Sequence, residues 1–538
     1  MNAEVKPARL RGMLPRSPPP GSRALPTNAT SGMGARGAHR VSYDETQLAV
    51  IHCHDKNVVA EAFAGAGKTT VAVGFTDERP DTKFLYVCLN KANATEAAQR
   101  FGSHVECRTS HSLAYQAVGS RFRDQLVKGS WRPRQFAEEA RIPGHRSAAV
   151  VQSVLNNFFS SCDKQPGEVH VEAVKDHWDL DANEQDQALA LSRMAWTKMQ
   201  KPGSGVSIPH DCYLKIWALS NPKLGRYEHI ILDEAQDTNP VTAEIIERQT
   251  HAGKLLIGDR HQSIYLFRGA LNAMEAFSGG GATVLKMPKT WRFGPDIAAK
   301  ASRLLAFFKG EETAIIGAGP KSAARGDGKR AVLARTNAGL YAEAAAVRGE
   351  GVYWIGGIEN YRVDVLRESY LLKAGRRDEI TDPSFRAYAS WTQYVDEAAS
   401  TRDAEARMLI KLNEEYGKDV PYLVQCFKRN AVPTETGART VLGTAHKAKG
   451  LDFDHVTVGE DFECLESAQS ELMNAPDMNL TPQTVQEINL LYVTLSRARH
   501  QLDLNTESRA FFSTYEQRLS ALVEARSPAL REAAVPTA

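Results

Sequence analysis

Short apolar runs alternate with stretches of helical periodicity from Ser42 to about Ser112, and the same alternation resumes near Ile208 and continues to about Met287. Strands separated by helical crossovers are the pattern of a parallel sheet. The strands predicted for it are Val58–Phe63, Phe84–Leu89, Ile230–Asp233 and Leu255–Gly258. Between the two halves, from about 113 to 207, the strand signal disappears and the chain becomes charged, Gln-rich and helix-favouring, which predicts a helical insertion. A second α/β unit follows, with strands at Ala331–Arg335, Gly351–Ile355, Thr440–Gly443 and His455–Val458 and a closing strand near Leu502. It too is interrupted, by a polar, helix-favouring stretch from about 361 to 436. The expected fold class is therefore α/β, with two parallel-sheet domains, each split by a mainly helical insertion. The first domain is expected over 41–112 and 208–287 with its insertion at 113–207. The second is expected over 288–360 and 437–510 with a small insertion at 361–436, followed by a C-terminal tail at 511–538. No internal repeat of solenoid period is present.

A chain of 538 residues exceeds the size at which one core stops growing, which agrees with two domains. The formal charge is only +2, so any grip on an anionic polymer must come from local placement of Lys and Arg. Seven dispersed cysteines without a Cys-x-x-Cys pair read as reduced thiols. The run His52-Cys53-His54-Asp55 alternates across a strand and has no second half-site, so no metal centre is expected there. No apolar run approaches the roughly 18–20 residues of a membrane helix, and no membrane partner is expected. Residues 1–40 carry Lys6, Arg9, Arg11, Arg16, Arg23, Arg36 and Arg40 against Glu4, amid many Pro and Gly, and are expected to be a disordered basic arm. The pair Glu311-Glu312 lacks companion acids and is read as solvated.

The chemistry begins at Ala62-Phe63-Ala64-Gly65-Ala66-Gly67-Lys68-Thr69, which follows an apolar strand and opens a helix. In such a loop, small residues let backbone N–H groups turn inward around a polyphosphate, and the helix N-terminus adds partial positive charge beneath it. Ala64, Gly65, Ala66, Gly67, Lys68, Thr69 and Thr70 are the candidate ATP-binding residues, with Lys68 reaching the β- and γ-phosphates and Thr69 holding Mg²⁺. Ala62 stands where the regular motif has Gly, which removes no polar group. Downstream, the apolar strand His229-Ile230-Ile231-Leu232 ends in Asp233-Glu234. Ligands of parallel sheets bind at the carboxyl ends of strands. Asp233 is thus placed to complete the Mg²⁺ shell and Glu234 to polarise the attacking water. Gln47, just before the first strand, can donate to and accept from an adenine edge.

Three further segments are more specific: Leu256–Ala270, which contains Gly258-Asp259-Arg260-His261-Gln262; Thr444-Ala445-His446-Lys447-Ala448-Lys449-Gly450-Leu451-Asp452-Phe453; and Asn489-Leu490-Leu491-Tyr492-Val493-Thr494-Leu495-Ser496-Arg497-Ala498. With them, the chain resembles the UvrD/Rep-like superfamily 1A DNA helicases from about residue 42 to 505. The resemblance implies two RecA-like P-loop domains around ATP. It makes Gln262 a γ-phosphate sensor, Phe267 a base-stacking aromatic and Trp291 an adenine-stacking residue. It makes Arg292, contributed from the second sheet, and Arg497 the cations that reach the γ-phosphate when the domains close, and Asp452 a contact to the ribose. Candidates for the DNA grip are Asn90, Lys91, Thr109, His111, Arg335, Asn337, Thr444 and His446, short polar or basic side chains suited to phosphate oxygens. The alternative reading of Thr109 and His111 is as capping or turn groups.

Three departures from the family pattern stand out. Thr70 replaces a base-contacting arginine, Asp452 replaces a glutamate, and Cys88 and Leu89 supply no aromatic beside Asn90-Lys91. His210-Asp211-Cys212-Tyr213-Leu214-Lys215 and the Asn90-Lys91 loop are most similar to the F-box DNA helicase branch, although no F-box-like segment fits in the first forty residues. The resemblance implies an ATP- and Mg²⁺-dependent 3′ to 5′ translocase on single-stranded DNA that unwinds duplex, acting on tailed duplexes in repair, recombination or replication. Recombinase filaments or replication and repair proteins are the implied partners. The implied location is the nucleoid of a bacterial or phage-infected cell, or a eukaryotic nucleus. Two alternatives stay open: a translocase that strips proteins from DNA with little unwinding, and a nucleotide-gated DNA-binding scaffold with vestigial hydrolysis. An RNA substrate is compatible with the same contacts.

Overall fold

β-Branched and aromatic residues in short runs build the first sheet of the computed structural model, which describes residues 42–129, 131–265, 273–320, 330–347, 351–401, 403–475 and 479–533. The expected basic arm at 1–40 and Phe267 lie outside the described residues. The strands are β1 Asn57–Ala62, β2 Phe84–Val87, β3 Val105–Arg108, β4 His229–Asp233, β5 Gly253–Gly258 and β6 Thr283–Met287. They lie in the order β3-β2-β4-β5-β1-β6, and every pairing is parallel. The edge strands β3 and β6 escape the hydrophobic pattern because they are only partly buried and carry polar residues such as Glu106 and Lys286. The four inner strands are buried, as parallel strands covered on both faces must be.

Helix α1 (Glu45–Ile51) begins with a capping box between Asp44 and Gln47. Helix α2 (Lys68–Asp77) follows β1 directly and packs Phe75 edge-on against Phe84 of β2, with ring centroids 6.2 Å apart. Helices α3 (Lys91–Arg100) and α4 (Ser110–Ala117) follow β2 and β3, capped by Asn90 and Thr109. Between β3 and β4 the described elements are helical, the longest being His145–Ser160 and Ala182–Met199. Their Phe136, Leu155, Phe158 and Trp196 share one core with Val59, Leu85, Ile230 and Leu256 of the sheet.

The chain leaves the first sheet through the two-stranded ribbon of β7 (Lys289–Thr290) and β8 (Ile316–Gly317), which brackets α5 (Pro295–Lys309). The second sheet contains β9 Arg330–Ala334, β10 Val352–Trp354, β11 Thr440–Thr444, β12 Phe453–Val458 and β13 Ala498–Asp503. Its order is β10-β11-β9-β12-β13, again all parallel. Helix α6 (Asn337–Ala346) follows β9, and α7 (Pro482–Leu495) precedes β13.

Period-two alternation decides what each face of this sheet covers. Ala331, Leu333, Val441 and Val456 face α5 and α7, whereas Val332, Ala334 and Leu442 face helices between 363 and 430. The first of these cores also takes in Phe63 and Ala64 of the Gly-rich loop, so the two lobes share apolar packing beside that loop. Residues of the C-terminal segment contribute to this core. Phe511, Tyr515 and Leu522 are buried in that same core, Phe511 stacking on Phe308 at 5.3 Å. The two lobes are RecA-like parallel sheets with helical insertions. Among the described residues, no helix is long and apolar enough to cross a membrane.

Candidate nucleotide and nucleic-acid site

The loop between β1 and α2 turns through two left-handed glycines, Gly65 at φ 77° and Gly67 at φ 84°. A side chain at either would collide with what packs beneath. A Cβ on Gly65 would sit 2.4 Å from Thr290 Oγ1 and 2.6 Å from Arg292 Cβ, and one on Gly67 would sit 2.9 Å from Gln47 Nε2. The loop is therefore a cradle held from below by the segment that carries Trp291 and Arg292, with Ala66 N–H donating to Phe63 O at 3.0 Å. Trp291 N–H donates to Gly65 O at 3.0 Å. Gln47 Nε2 donates to Ala66 O at 3.0 Å, and its Oε1 accepts from Asp44 N–H at 3.0 Å. One amide hydrogen and one lone pair of Gln47 thus serve the loop and the cap, which leaves one of each for another partner.

The carboxyl ends of β1, β4 and β5 are neighbours, and the chemistry-bearing groups collect there. Lys68 Nζ pairs with Glu234 Oε1 at 3.1 Å, both side chains largely buried. Glu234 reaches it from a left-handed backbone at φ 51°, an uncommon conformation for a residue with a side chain. Burial works against the Lys68 charge, but Glu234, Asp233 and Asp259 outweigh it and raise its pKa. Burial also opposes ionisation of Glu234, and Lys68 and Lys449 overcome it, holding the carboxyl below its ordinary range. Asp233 behaves oppositely, since burial and the adjacent Glu234 push its pKa up. It accepts hydrogen bonds from Tyr86 Oη and from Glu234 N–H, the latter at 3.0 Å. A divalent cation at Asp233 and Thr69 would relieve that crowding of negative charge, so the donor set fits Mg²⁺.

Gln262 lies just past β5. Its Nε2 donates to Asp259 Oδ2 at 2.7 Å and its Oε1 accepts from Arg497 Nη2 at 3.3 Å. Arg497, 1 % exposed, also donates to Val493 O at 2.9 Å and Leu451 O at 3.0 Å. Burial and then the Arg292 charge disfavour its cation, while Glu234 favours it. Arg292 is likewise penalised by burial and supported by Asp452, Tyr492 and Glu234. Two guanidinium groups, Lys68 and Glu234 therefore converge within electrostatic reach of one another.

One expectation about this cluster is corrected. Arg292 does not come from the second sheet; it follows β7, ahead of α5 and β8, and its backbone packs on Gly65 while its Nη1 donates to Ser496 O at 3.2 Å. It is fixed to the loop at one end and to the second lobe at the other. Trp291 is 45 % exposed with Lys289 Nζ 4.3 Å from its ring centroid. Asp452 pairs with Arg499 at 2.5 Å and lies 4.0 Å from Arg292 Nε. Thr70 Oγ1 accepts from Arg100 Nη2 at 3.0 Å.

Glu311 is the other correction. Its side chain is 3 % exposed, paired with Arg260 and with His261 Nε2 at 3.0 Å, and bonded by Thr313 N–H at 2.9 Å. His261 in turn stacks on Phe63 at 5.7 Å. The acid is a buried brace behind the strand-end loops, and its partners Arg260 and His261 are too distant in sequence to signal this.

Several groups at this junction carried no assigned role in the sequence. Tyr492 of α7 accepts from Ala64 N–H at 3.1 Å and donates to Asp259 Oδ2 at 3.0 Å. Lys449 Nζ binds Asp237 and, at 2.6 Å, Gln262 O. Asn489 Nδ2 donates to Ser263 O at 2.8 Å and its Oδ1 accepts from Lys309 at 2.7 Å. Gln236 Nε2 donates to Glu234 at 2.6 Å, and its Oε1 accepts from Asp259 N–H at 3.1 Å. Tyr492, Lys449 and Asn489 lie inside the quoted motifs and Gln236 just past one, and Tyr492, Lys449 and Asn489 meet partners far away in sequence.

The candidate nucleic-acid residues fall at other strand ends. Asn90 caps α3 by accepting from Asn93 N–H at 2.8 Å, and Lys91 beside it is exposed. Thr109 caps α4 through Ser112 N–H at 3.0 Å, and His111 bonds Asp211 at 2.9 Å. In the second lobe, Thr444 pairs in register with Ala334, the residue before Arg335, so the strand ends that lead to His446 and to Asn337 are neighbours. Arg335 is held bidentately by Glu487 at 2.6 and 2.5 Å. His446 lies 6.1 Å from the Tyr265 ring.

The UvrD/REP helicase N-terminal domain matches residues 219–277, which hold Asp233, Glu234 and Gln262. The chain is 30 % identical over 469 residues to F-box DNA helicase 1 of Gallus gallus, across 81 % of this chain and 46 % of that protein. It is 29 % identical over 492 residues to F-box DNA helicase protein 1 of Schizosaccharomyces pombe, across 83 % of this chain and 55 % of that protein. A probable DNA helicase II homolog of Mycoplasma genitalium is 22 % identical over 262 residues, 43 % of this chain and 37 % of its own length. The chain spans about half the length of the two F-box relatives. With two parallel-sheet lobes meeting at Lys68, Glu234, Gln262 and Arg497, the chain carries a match to the UvrD/REP helicase N-terminal domain and is homologous over most of its own length to the F-box DNA helicases.

Proposed function

We propose that the protein is an ATP- and Mg²⁺-dependent DNA helicase that moves 3′ to 5′ along single-stranded DNA and opens tailed duplexes, in repair, recombination or replication. The observation that carries this reading is the convergence of Lys68 and Glu234 from the first lobe with Arg292 and Arg497 at the lobe junction. Backbone donors of Gly65 and Gly67 and the Lys68 ammonium hold the β- and γ-phosphates, Ala64 and Ala66 shape the loop through their bonds to Tyr492 Oη and Phe63 O, and Trp291 stacks on the adenine, beside Gln47 and Thr70. Thr69 and Asp233 would hold Mg²⁺, which when bound neutralises charge on the phosphate oxygens. As Lys68 turns to the phosphate, Glu234 is released to orient and polarise the attacking water. Gln262 reads the γ-phosphate, while Arg292 and Arg497 stabilise charge in the transition state; cations of this kind contribute roughly 10³–10⁵ in rate.

Hydrolysis then depends on closure of the two lobes, 41–112 with 208–287 against 288–360 with 437–510. DNA-gripping groups advance alternately: Asn90, Lys91, Thr109, His111 and Phe267 on the first lobe, Arg335, Asn337, Thr444 and His446 on the second. Direction and pathway follow the family, and recombinase filaments or replication and repair proteins are the proposed partners. The test is ATPase activity with single-stranded DNA, duplex and RNA side by side. Stimulation by single-stranded DNA that vanishes in Lys68→Ala is expected; hydrolysis indifferent to any nucleic acid contradicts the reading.

A further inference from the structure

Helix α7 touches both candidate sites from opposite faces. Asn489 and Tyr492, three residues apart and so on one face, meet Ser263 O, Ala64 N–H and Asp259 beside the phosphate loop. The residue after the helix cap is Arg497, bonded to Gln262. Glu487 lies two residues before Asn489, roughly 200° around the helix, and points to the loop after β9. There it grips the Arg335 guanidinium through both oxygens, at 2.6 and 2.5 Å. About 15 Å of helix separates this grip from Arg497.

The loop itself is fixed independently of that ion pair. Asp461 accepts from Arg335 N–H at 2.8 Å, Thr336 N–H at 2.8 Å and Thr336 Oγ1 at 2.9 Å. It also packs so tightly under Gly339 that a Cβ there would lie 2.0 Å from its Oδ2. The backbone is therefore braced while the Arg335 side chain, 38 % exposed, remains open to solvent along with Glu487 at 25 %. A planar guanidinium held bidentately by a carboxylate presents the same geometry to a phosphate, which can replace that carboxylate.

We propose that Glu487 is a positioning residue coupling the two sites: a DNA phosphate takes Arg335 from Glu487, and the released start of α7 passes the change to Asn489, Tyr492 and Arg497. This rests on the reading that the carboxyl end of the second sheet grips DNA. The neighbouring Thr444, in register with Ala334, places a second short polar group beside the same phosphate path.

The experiment is oligo-dT binding by anisotropy across a salt series, with DNA-stimulated ATPase on the same samples, for wild type, Glu487→Gln, Arg335→Ala and the double variant. Glu487→Gln is expected to bind several-fold more tightly and to need several-fold less oligo-dT for half-maximal stimulation, yet to reach a lower maximal rate because the link is cut. Arg335→Ala is expected to weaken binding and flatten the salt dependence by about 0.7, the loss of one phosphate contact on a single strand, and the double variant to match it. A merely structural ion pair would lower affinity and rate together in Glu487→Gln, and that result overturns the inference. Hydrogen exchange on the wild type needs no variant: oligo-dT without nucleotide is expected to lower protection across 484–488, and unchanged protection there overturns it as well. Wild type that fails to bind oligo-dT would sink the helicase reading too, whereas binding with an unaltered Glu487→Gln sinks only the coupling.

Discussion

Buried charge is the distinguishing feature at the residue scale. The hydrogen bonds that Arg497 makes among the described residues go to neutral oxygens of Val493, Leu451, Gln262 and Ser496, and Arg292 stands close enough to repel it. A buried cation in that setting is costly, and an anionic γ-phosphate between the two guanidinium groups would offset the cost. Glu311 illustrates the opposite case, an acid stabilised by Arg260 and His261 from the strand-end loop. His229 gives a pH prediction. Burial and then Arg79 lower its pKa to about 4, and its ring packs on Gly253, where a Cβ would approach within 2.2 Å. The unfolded chain binds this proton near pH 6.5 and the folded chain does not, so the stability His229 contributes is complete above about 6.5 and is lost as pH falls toward about 4. Thermal melts between about pH 7 and about pH 5 are expected to fall for the wild type and to fall less for His229→Phe; equal slopes would exclude His229 as a source of the acid sensitivity.

At the scale of elements, the phosphate loop depends on its floor. Gly65→Ala must accommodate a Cβ at 2.4 Å from Thr290 Oγ1 with the backbone at φ 77°, so the Thr290–Arg292 segment has to move. That variant is expected to lose most nucleotide binding and to melt at a lower temperature, because alanine is strained at this φ and the displaced segment carries the bond of Arg292 to Ser496; a fluorescent ATP analogue bound as in the wild type would refute it. The loop, the Asp233-Glu234 pair and the strands that carry them were legible because each is a local pattern: apolar run, small-residue turn, carboxylates at a strand end. Tyr492, Asn489 and Lys449 were not, since Tyr492 meets Ala64 across 428 residues and Lys449 meets Gln262 across 187. A tyrosine among Leu490, Leu491 and Val493 reads as core in any one-dimensional pattern. Strands β3 and β6 were missed for a related reason, since edge strands lack the continuous apolar run of inner ones. The resemblance implies a place for Arg292 on the second sheet; its contacts with both Gly65 and Ser496 span the two lobes from the segment after β7, without a place in either sheet.

For the whole molecule, the lobes are joined by apolar packing that reaches Phe63 and Ala64, by the Lys449–Asp237 ion pair and by the Tyr492 bridge. Nucleotide at this junction would be sensed at once by the loop, by Gln262 and by the two arginines, and α7 extends the same junction toward the second lobe's strand ends. The central claim is that a triphosphate bridges Lys68 in one lobe and Arg497 in the other. Its most direct test is the steady-state ATPase rate of Arg497→Ala beside wild type, at saturating ATP and oligo-dT. The account predicts a fall of roughly 10³-fold or more, the scale of a charge-stabilising arginine; a variant that hydrolyses ATP at the wild-type rate would contradict it.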